Sequence, residues 1–347
     1  PGSFASAEAV AYLATQKLVM YSPLYRLQQE FNRQGLRLSR QTMANWLLNI
    51  SEKWLRPVYD VLREQLCREL VLHADETTLQ VLKESGRMAT SKSYMWLYRT
   101  SGCTKQAIVL YEYQPTRKAE HAEYFLQGFS GWLHADGYQG YHRLPGNIRV
   151  VGCWAHARRK LDEALQTLPK EMQKDAPAAI GECYCSRLFK LEQAFAELTP
   201  EERYEKRLEQ EKPVLDALLS WANETQAKTA PKSALGRAIH YLLEQWPYLT
   251  RYLEDGRLEL SNNRAERSIK PFVMGRKNWL FANTPGGAQA SAVIYSLIET
   301  AKENGLDPYR YLLWVLQNAP QLSETDETWA EKLLPARALK ECYMPHK

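Results

Sequence analysis

The chain has 347 residues, of which 45% are hydrophobic and 24% charged, and its net charge is +5. That length gives a prior of roughly two domains, and the balance is that of a globular protein, which excludes a disordered tract, a collagen-like repeat and a disulfide-stapled miniprotein. No stretch approaches the ~20 apolar residues of a membrane span, so no membrane partner is expected.

The opening Pro1-Gly2-Ser3-Phe4 has no basic segment followed by an apolar one, so no secretory signal is expected. The six cysteines follow no pairing rhythm, and only Cys183-Tyr-Cys185 is a close pair. They read as reduced thiols of a cytoplasmic protein.

Residues 1–69 read as helical. Ser22-Pro23 opens an amphipathic run with Leu24, Leu27 and Phe31, stopped near Gly35. Ser39 is a good N-cap for a second run with Met43, Ala44, Leu47 and Leu48. Two short helices about a glycine-containing turn resemble a helix-turn-helix, with Arg40, Gln41 and Asn45 exposed for groove contacts. A purely structural helix pair has the same pattern.

From residue 70 the period changes. Leu70–His73, Tyr94–Tyr98 and Ala107–Tyr111 read as strands, each bounded by turn-like sequence. A helix over Lys118–Phe129, strands at Gly131–His134 and Ile148–Gly152, and a helix from about Ala155 follow. Residues 161–255 have no strand-like segment, only helical periodicity broken near Pro177, Pro200, Pro213 and Pro231. Pro271 is expected to limit a helix capped by Ser261 or Asn262. Gly286-Gly287 should precede an apolar helix over Ala290–Lys302, and a last helix covers Pro308–Gln317. The division is an N-terminal helical region (1–69), a core in two parts (70–160 and 256–302), an all-helical insertion (161–255) and a helical tail (303–347).

Charge is unevenly spread along this order. Residues 137–160 hold five basic and no acidic side chains, and 256–287 hold six and two, whereas 161–255 hold twelve and seventeen. Two basic windows of this kind are the footprint of polyanion binding, although a solvated charged face has the same composition.

One pattern occurs twice, Leu72-His73-Ala74-Asp75 and Leu133-His134-Ala135-Asp136. A carboxylate leaving an apolar strand is costly unless paired or bound to a cation; an Asp there can also cap the following turn. Two copies in one context favour a shared site. Glu266 is the third acid, one helical turn before Lys270 and set among Arg264, Arg267, Arg276 and Lys277. Three oxygen ligands without cysteine suit Mg²⁺ or Mn²⁺, and two such ions could clamp an in-line phosphoryl displacement. The basic windows would then hold nucleic acid, through Arg158, Arg159, Lys160, Arg267, Lys270, Arg276 and Lys277. The competing reading is a binuclear hydrolase using His73 with Asp75 and His134 with Asp136. It leaves Glu266 and the basic windows without a role.

His73-Ala-Asp75-Glu-Thr77, His134-Ala-Asp136-Gly-Tyr138, Cys153-Trp-Ala-His156-Ala-Arg158-Arg-Lys160, Asn262-Asn-Arg-Ala-Glu266-Arg and the Gly286-Gly287 segment together resemble bacterial transposases of the insertion sequence 66 family. The likeness runs from about residue 4 to Leu333-Leu334-Pro335. It implies an α/β fold with an RNase H-like mixed-sheet core and a DDE triad of Asp75, Asp136 and Glu266 holding Mg²⁺ or Mn²⁺, two ions in all. The spacing of 130 residues from Asp136 to Glu266 independently requires an insertion. Cys153 and His156 resemble a C-x-x-H signature with a structural role. The implied partners are transposon-end and target DNA, further copies of the chain on DNA, and accessory proteins encoded by the same element; the implied place of action is the bacterial cytoplasm, at the nucleoid. A transposase-derived protein that only binds DNA would show the same motifs. Full-length members carry further N-terminal DNA-binding and coiled-coil segments with a cysteine cluster, which this sequence does not show.

Overall fold

The computed structural model describes residues 5–344, so the expectation for the opening Pro1–Phe4 lies outside the described residues. Helices α1 (Ala7–Leu18), α2 (Leu24–Arg33), α3 (Arg40–Ile50) and α4 (Arg56–Leu66) come first, with a π-helical turn, Ser51–Leu55, between the last two. Strands β1 (Val71–Gln80), β2 (Lys92–Thr100) and β3 (Val109–Gln114) follow, then α5 (Ala119–Phe125), β4 (Gly131–His134) and β5 (Ile148–Val151). Next come α6 (Trp154–Leu165), α7 (Lys170–Gln173), α8 (Pro177–Ala194), α9 (Pro200–Lys206), α10 (Lys212–Lys228) and α11 (Ala234–Leu249), with a second π-helical turn, Arg207–Glu211, before α10. Helices α12 (Asn263–Trp279), α13 (Pro285–Glu303) and α14 (Pro308–Thr325) and short terminal turns complete the described chain. The fold is mixed α/β.

Local chemistry explains most boundaries. Ser6, Ser39, Thr199, Ser233, Thr284 and Asp307 cap their helices through side-chain oxygens. Pro177, Pro200 and Pro213 stand at the first or second position of α8, α9 and α10, where a missing N–H costs nothing. Two expectations need correcting. Helix α12 runs through Pro271 to Trp279, because Ile269, Phe272 and Gly275 on either side of the proline are buried and packing outweighs one missing hydrogen bond. Helix α13 begins at Pro285, so Gly286-Gly287 form its first turn, with the Gly287 N–H donating to Thr284 Oγ1 at 3.1 Å.

The chain packs as two compact units. One comprises residues up to Ser130 together with those from Ala265 onward; the other is the continuous segment Gly131–Arg264. In the first unit β1, β2 and β3 form an antiparallel ladder in the order β3-β2-β1. One face of the ladder meets α4 and α5: the Tyr59 hydroxyl donates to the Tyr111 carbonyl at 3.0 Å, and Tyr98 stacks on Phe125 with centroids 3.9 Å apart. The opposite face is covered by α12 and α13. Every residue of α13 from Ala292 to Ala301 is buried, Ser296, Glu299 and Thr300 included. It also closes the outer edge of β3: the backbone N–H groups of Tyr111 and Val109 donate to Ser296 Oγ at 2.7 Å and Thr300 Oγ1 at 3.0 Å.

In the second unit β4 and β5 pair in parallel, and α6 packs against α8 and α11. Its helical part surrounds a buried charge cluster. The Arg207 guanidinium is fully buried and donates to Glu192 through Nε at 2.7 Å and Nη2 at 2.8 Å. Glu211 accepts from the Tyr252 hydroxyl at 2.6 Å. The π-helical turn at Arg207–Glu211 carries both of these side chains inward.

Candidate active site

Asp75 lies within β1, not at its end. Strand pairing with β2 continues to Gln80 because Thr77, Thr78 and Leu79 suit a strand and find Met95, Tyr94 and Ser93 opposite them. In register, Asp75, Leu97 and Tyr111 form one row across the ladder, and His73, Arg99 and Val109 the next row on the same face. Asp75 Oδ1 accepts the Glu76 N–H at 2.8 Å.

Those two rows fix the start of α12. The Tyr111 hydroxyl donates to the carbonyl of Ser268, and the Arg99 guanidinium to its Oγ. Arg99 also reaches Glu303 at 2.9 Å. Burial pushes the Tyr111 hydroxyl well above its usual pKa, so it stays a donor. Further along, Arg276 Nη1 donates to Thr77 Oγ1 at 3.1 Å and Thr78 Oγ1 at 3.2 Å. The helix thus follows β1 from the His73 row to the Thr77 row. Glu266, in its first turn, and Asp75 belong to the same unit and the same face of the ladder.

Asp136 belongs to the second unit, two residues past β4. Its Oδ1 accepts the Tyr138 N–H at 2.9 Å, the local turn that an Asp leaving a strand often caps. His134 is buried, and its Nε2 accepts the Glu259 N–H at 3.2 Å, which removes that lone pair from metal binding. The buried Cys153 accepts the Asn262 N–H at 3.1 Å through Sγ and so ties down the loop ahead of α12. His156 is half-buried, in the first turn of α6.

The sequence pattern of the family described as Transposase IS66 matches residues 2–290, and that of the IS66 C-terminal element matches residues 296–336. The chain belongs to the IS66 transposase family. Three curated proteins of Sinorhizobium fredii are similar to it, each described only as uncharacterized. They are y4qI (32% identical, 91% of this chain and 59% of the relative), y4hP (30%, 96% and 62%) and y4jD (31%, 96% and 66%). The chain therefore spans about three-fifths to two-thirds of the relatives' length.

In this IS66 family member the basic residues fall into two groups. Arg267, Lys270 and Lys277 are exposed and share one stripe of α12, opposite the buried Ala265, Ser268 and Phe272. On α6, Arg158 is exposed but paired with Glu182 at 2.8 Å, and Lys160 with Glu163 at 3.1 Å; Arg159 is exposed beside them. Arg276 is half-buried against the threonines of β1. Among the described residues no helix is long and apolar enough to cross a membrane, and no disulfide joins the six cysteines. Sequence reasoning missed Arg99 and Tyr111, which hold α12 over β1. The available signal was an arginine at the end of an otherwise apolar and aromatic strand, since a buried guanidinium demands built-in acceptors.

Proposed function

We propose that this chain is the catalytic part of a DNA transposase, cutting and joining strands at the ends of a bacterial insertion sequence, with Asp75, Asp136 and Glu266 as metal-holding carboxylates on an RNase H-like core. The observation that carries the reading is the anchored start of α12: Tyr111 and Arg99, in the rows of Asp75 and His73, both bind Ser268, two residues beyond Glu266. The β-β-β-α-β-β order, with an acid in the first strand and another just after the fourth, supports the same reading.

The donor set fits a hard divalent cation. It consists of carboxylate oxygens on three half-buried side chains. Bound Mg²⁺ or Mn²⁺ would polarise the phosphoryl oxygens and lower the pKa of the attacking water. The chain's own residues do the positioning. Tyr111 and Arg99 fix the helix that carries Glu266, while Arg267, Lys270 and Lys277 grip the phosphate backbone beside it. Transposon-end and target DNA are the substrates in this reading, and further copies of the chain and proteins of the same element are its partners at the nucleoid.

The test is cleavage and strand transfer on end DNA with Mg²⁺ or Mn²⁺. Asp75→Ala, Asp136→Ala and Glu266→Ala should each lower the rate roughly a thousandfold or more, because several kcal/mol of charge stabilisation are removed. Their circular dichroism and DNA affinity should match the parent. Full activity of Glu266→Ala would overturn the triad, and a parent chain that binds DNA but never nicks it would identify a DNA-binding derivative.

A further inference from the structure

The hairpin of α2 and α3 is fixed by its turn and presents a polar outer face. Its turn is Gln34–Ser39, where Gly35 takes φ +84, a conformation costly for any residue with a Cβ. Gln28 Oε1 on α2 accepts the Arg40 N–H at 3.1 Å, and Ser39 Oγ accepts the Thr42 N–H at 3.0 Å. Two of the open N–H groups at the start of α3 are thereby closed by side chains, which fixes the angle between the helices. Met43, Leu47 and Ile50 bury the inner face of α3.

The outer face is a ridge of Gln41, Asn45 and Asn49, all exposed and each one turn apart, with exposed Arg40 at its head. Gln41 Nε2 donates to Asn45 Oδ1 at 2.9 Å. That bond uses one donor and one acceptor of the pair and leaves Gln41 Oε1 as an acceptor and Asn45 Nδ2 as a donor. Adenine shows the matching pair on its major-groove edge, the N6 donor beside the N7 acceptor. The charge around the ridge fits the same ligand. Residues 22–50 hold four arginines, Arg26, Arg33, Arg37 and Arg40, all exposed, and a single acid, Glu30, which is occupied by Arg33 and Gln34.

We infer that α3 is a recognition helix for the major groove of duplex DNA, in which the Gln41–Asn45 pair reads adenine while Arg37 and Arg40 hold phosphates. Only the origin of that DNA, the ends of the element, rests on the transposase reading.

The experiment is selection, by the chain in the absence of divalent metal, from duplexes with a randomised centre, followed by anisotropy titrations of the selected duplex. A motif containing adenine should emerge. Gln41→Ala and Asn45→Ala should each lose discrimination against a duplex with that adenine replaced, by roughly 5- to 150-fold, with the salt dependence unchanged. Arg40→Ala should weaken selected and scrambled duplexes alike and reduce the slope of log affinity against log salt by about 0.9. These side chains are exposed, so melting should match the parent. If Asn45→Ala does not fold, Asn45→Asp serves, because it keeps the shape and should abolish selection by charge. No enriched motif, a motif indifferent to both amide substitutions, or equal binding of an RNA duplex would overturn the inference. Because the selection excludes metal, its outcome is independent of the cleavage assay on Asp75 and Glu266.

Discussion

Within the second unit, Glu211 is fully buried beside Glu192, and Arg207 supplies one positive charge for the two carboxyl groups. Burial first, and then the neighbouring Glu192, push the Glu211 carboxyl up to about 8. A carboxyl raised in the folded state adds stability that is complete below its unfolded pKa and is lost as pH climbs through the folded one. Thermal melting of the chain should therefore fall in midpoint between about pH 4.5 and 8. Glu211→Gln, which mimics the protonated group, should remove most of that fall and exceed the parent in stability above pH 8. Parallel pH profiles for parent and variant would show that Glu211 is not the titrating group. None of this was legible in the sequence, where Glu211 is one of seventeen acids in an apparently solvated helical stretch. The π-helical turn turns it inward, and periodicity counted at 3.6 residues cannot register that extra residue.

Elements were easier to read than their joints. Richness in aromatic and β-branched residues points to β2 and β3, and β4 and β5 read as strands at Gly131–His134 and Ile148–Gly152, but the same reading ends β1 at His73, with Asp75 leaving the strand. Pairing with β2 decides otherwise, and pairing is not a local property. Helix α13 was legible as a long apolar helix, whereas its hydroxyl contacts with β3 were not, since Ser and Thr in a helix are ordinarily read as surface. Ser296→Ala would leave the Tyr111 N–H buried without its acceptor, at a cost of about 1–3 kcal/mol. Denaturant unfolding should show that loss with the slope unchanged; a difference under about 0.5 kcal/mol, the size of a surface substitution, would mean that the hydrogen bond is incidental. The anchoring of α12 by Arg99 was equally hidden, so the sequence named Glu266 without indicating what holds it.

At the scale of the whole molecule, net charge conceals a division of labour. Among the described residues, the exposed stripe of Arg267, Lys270 and Lys277 has no acid partners of the kind that Arg158 and Lys160 have in Glu182 and Glu163. Lys270→Gln with Lys277→Gln should therefore flatten the salt dependence of DNA binding by up to about 0.9 for each phosphate no longer neutralised, more than Arg158→Gln with Lys160→Gln does. An equal effect of the two pairs would place the phosphates along α6 as well. The two-unit plan has a further outcome, which concerns the order of synthesis. The second unit is one continuous segment, but the first is finished only by residues that follow it. When β3 leaves the ribosome, the Tyr111 and Val109 N–H groups wait for Ser296 and Thr300, 185 and 191 residues downstream. At about 5–20 residues per second that interval is roughly 10–40 s, during which a nascent ladder has a bare edge and an uncovered apolar face. The segment Gly131–Arg264 emerges within that interval, so the first unit stays unfinished for the whole synthesis of the second.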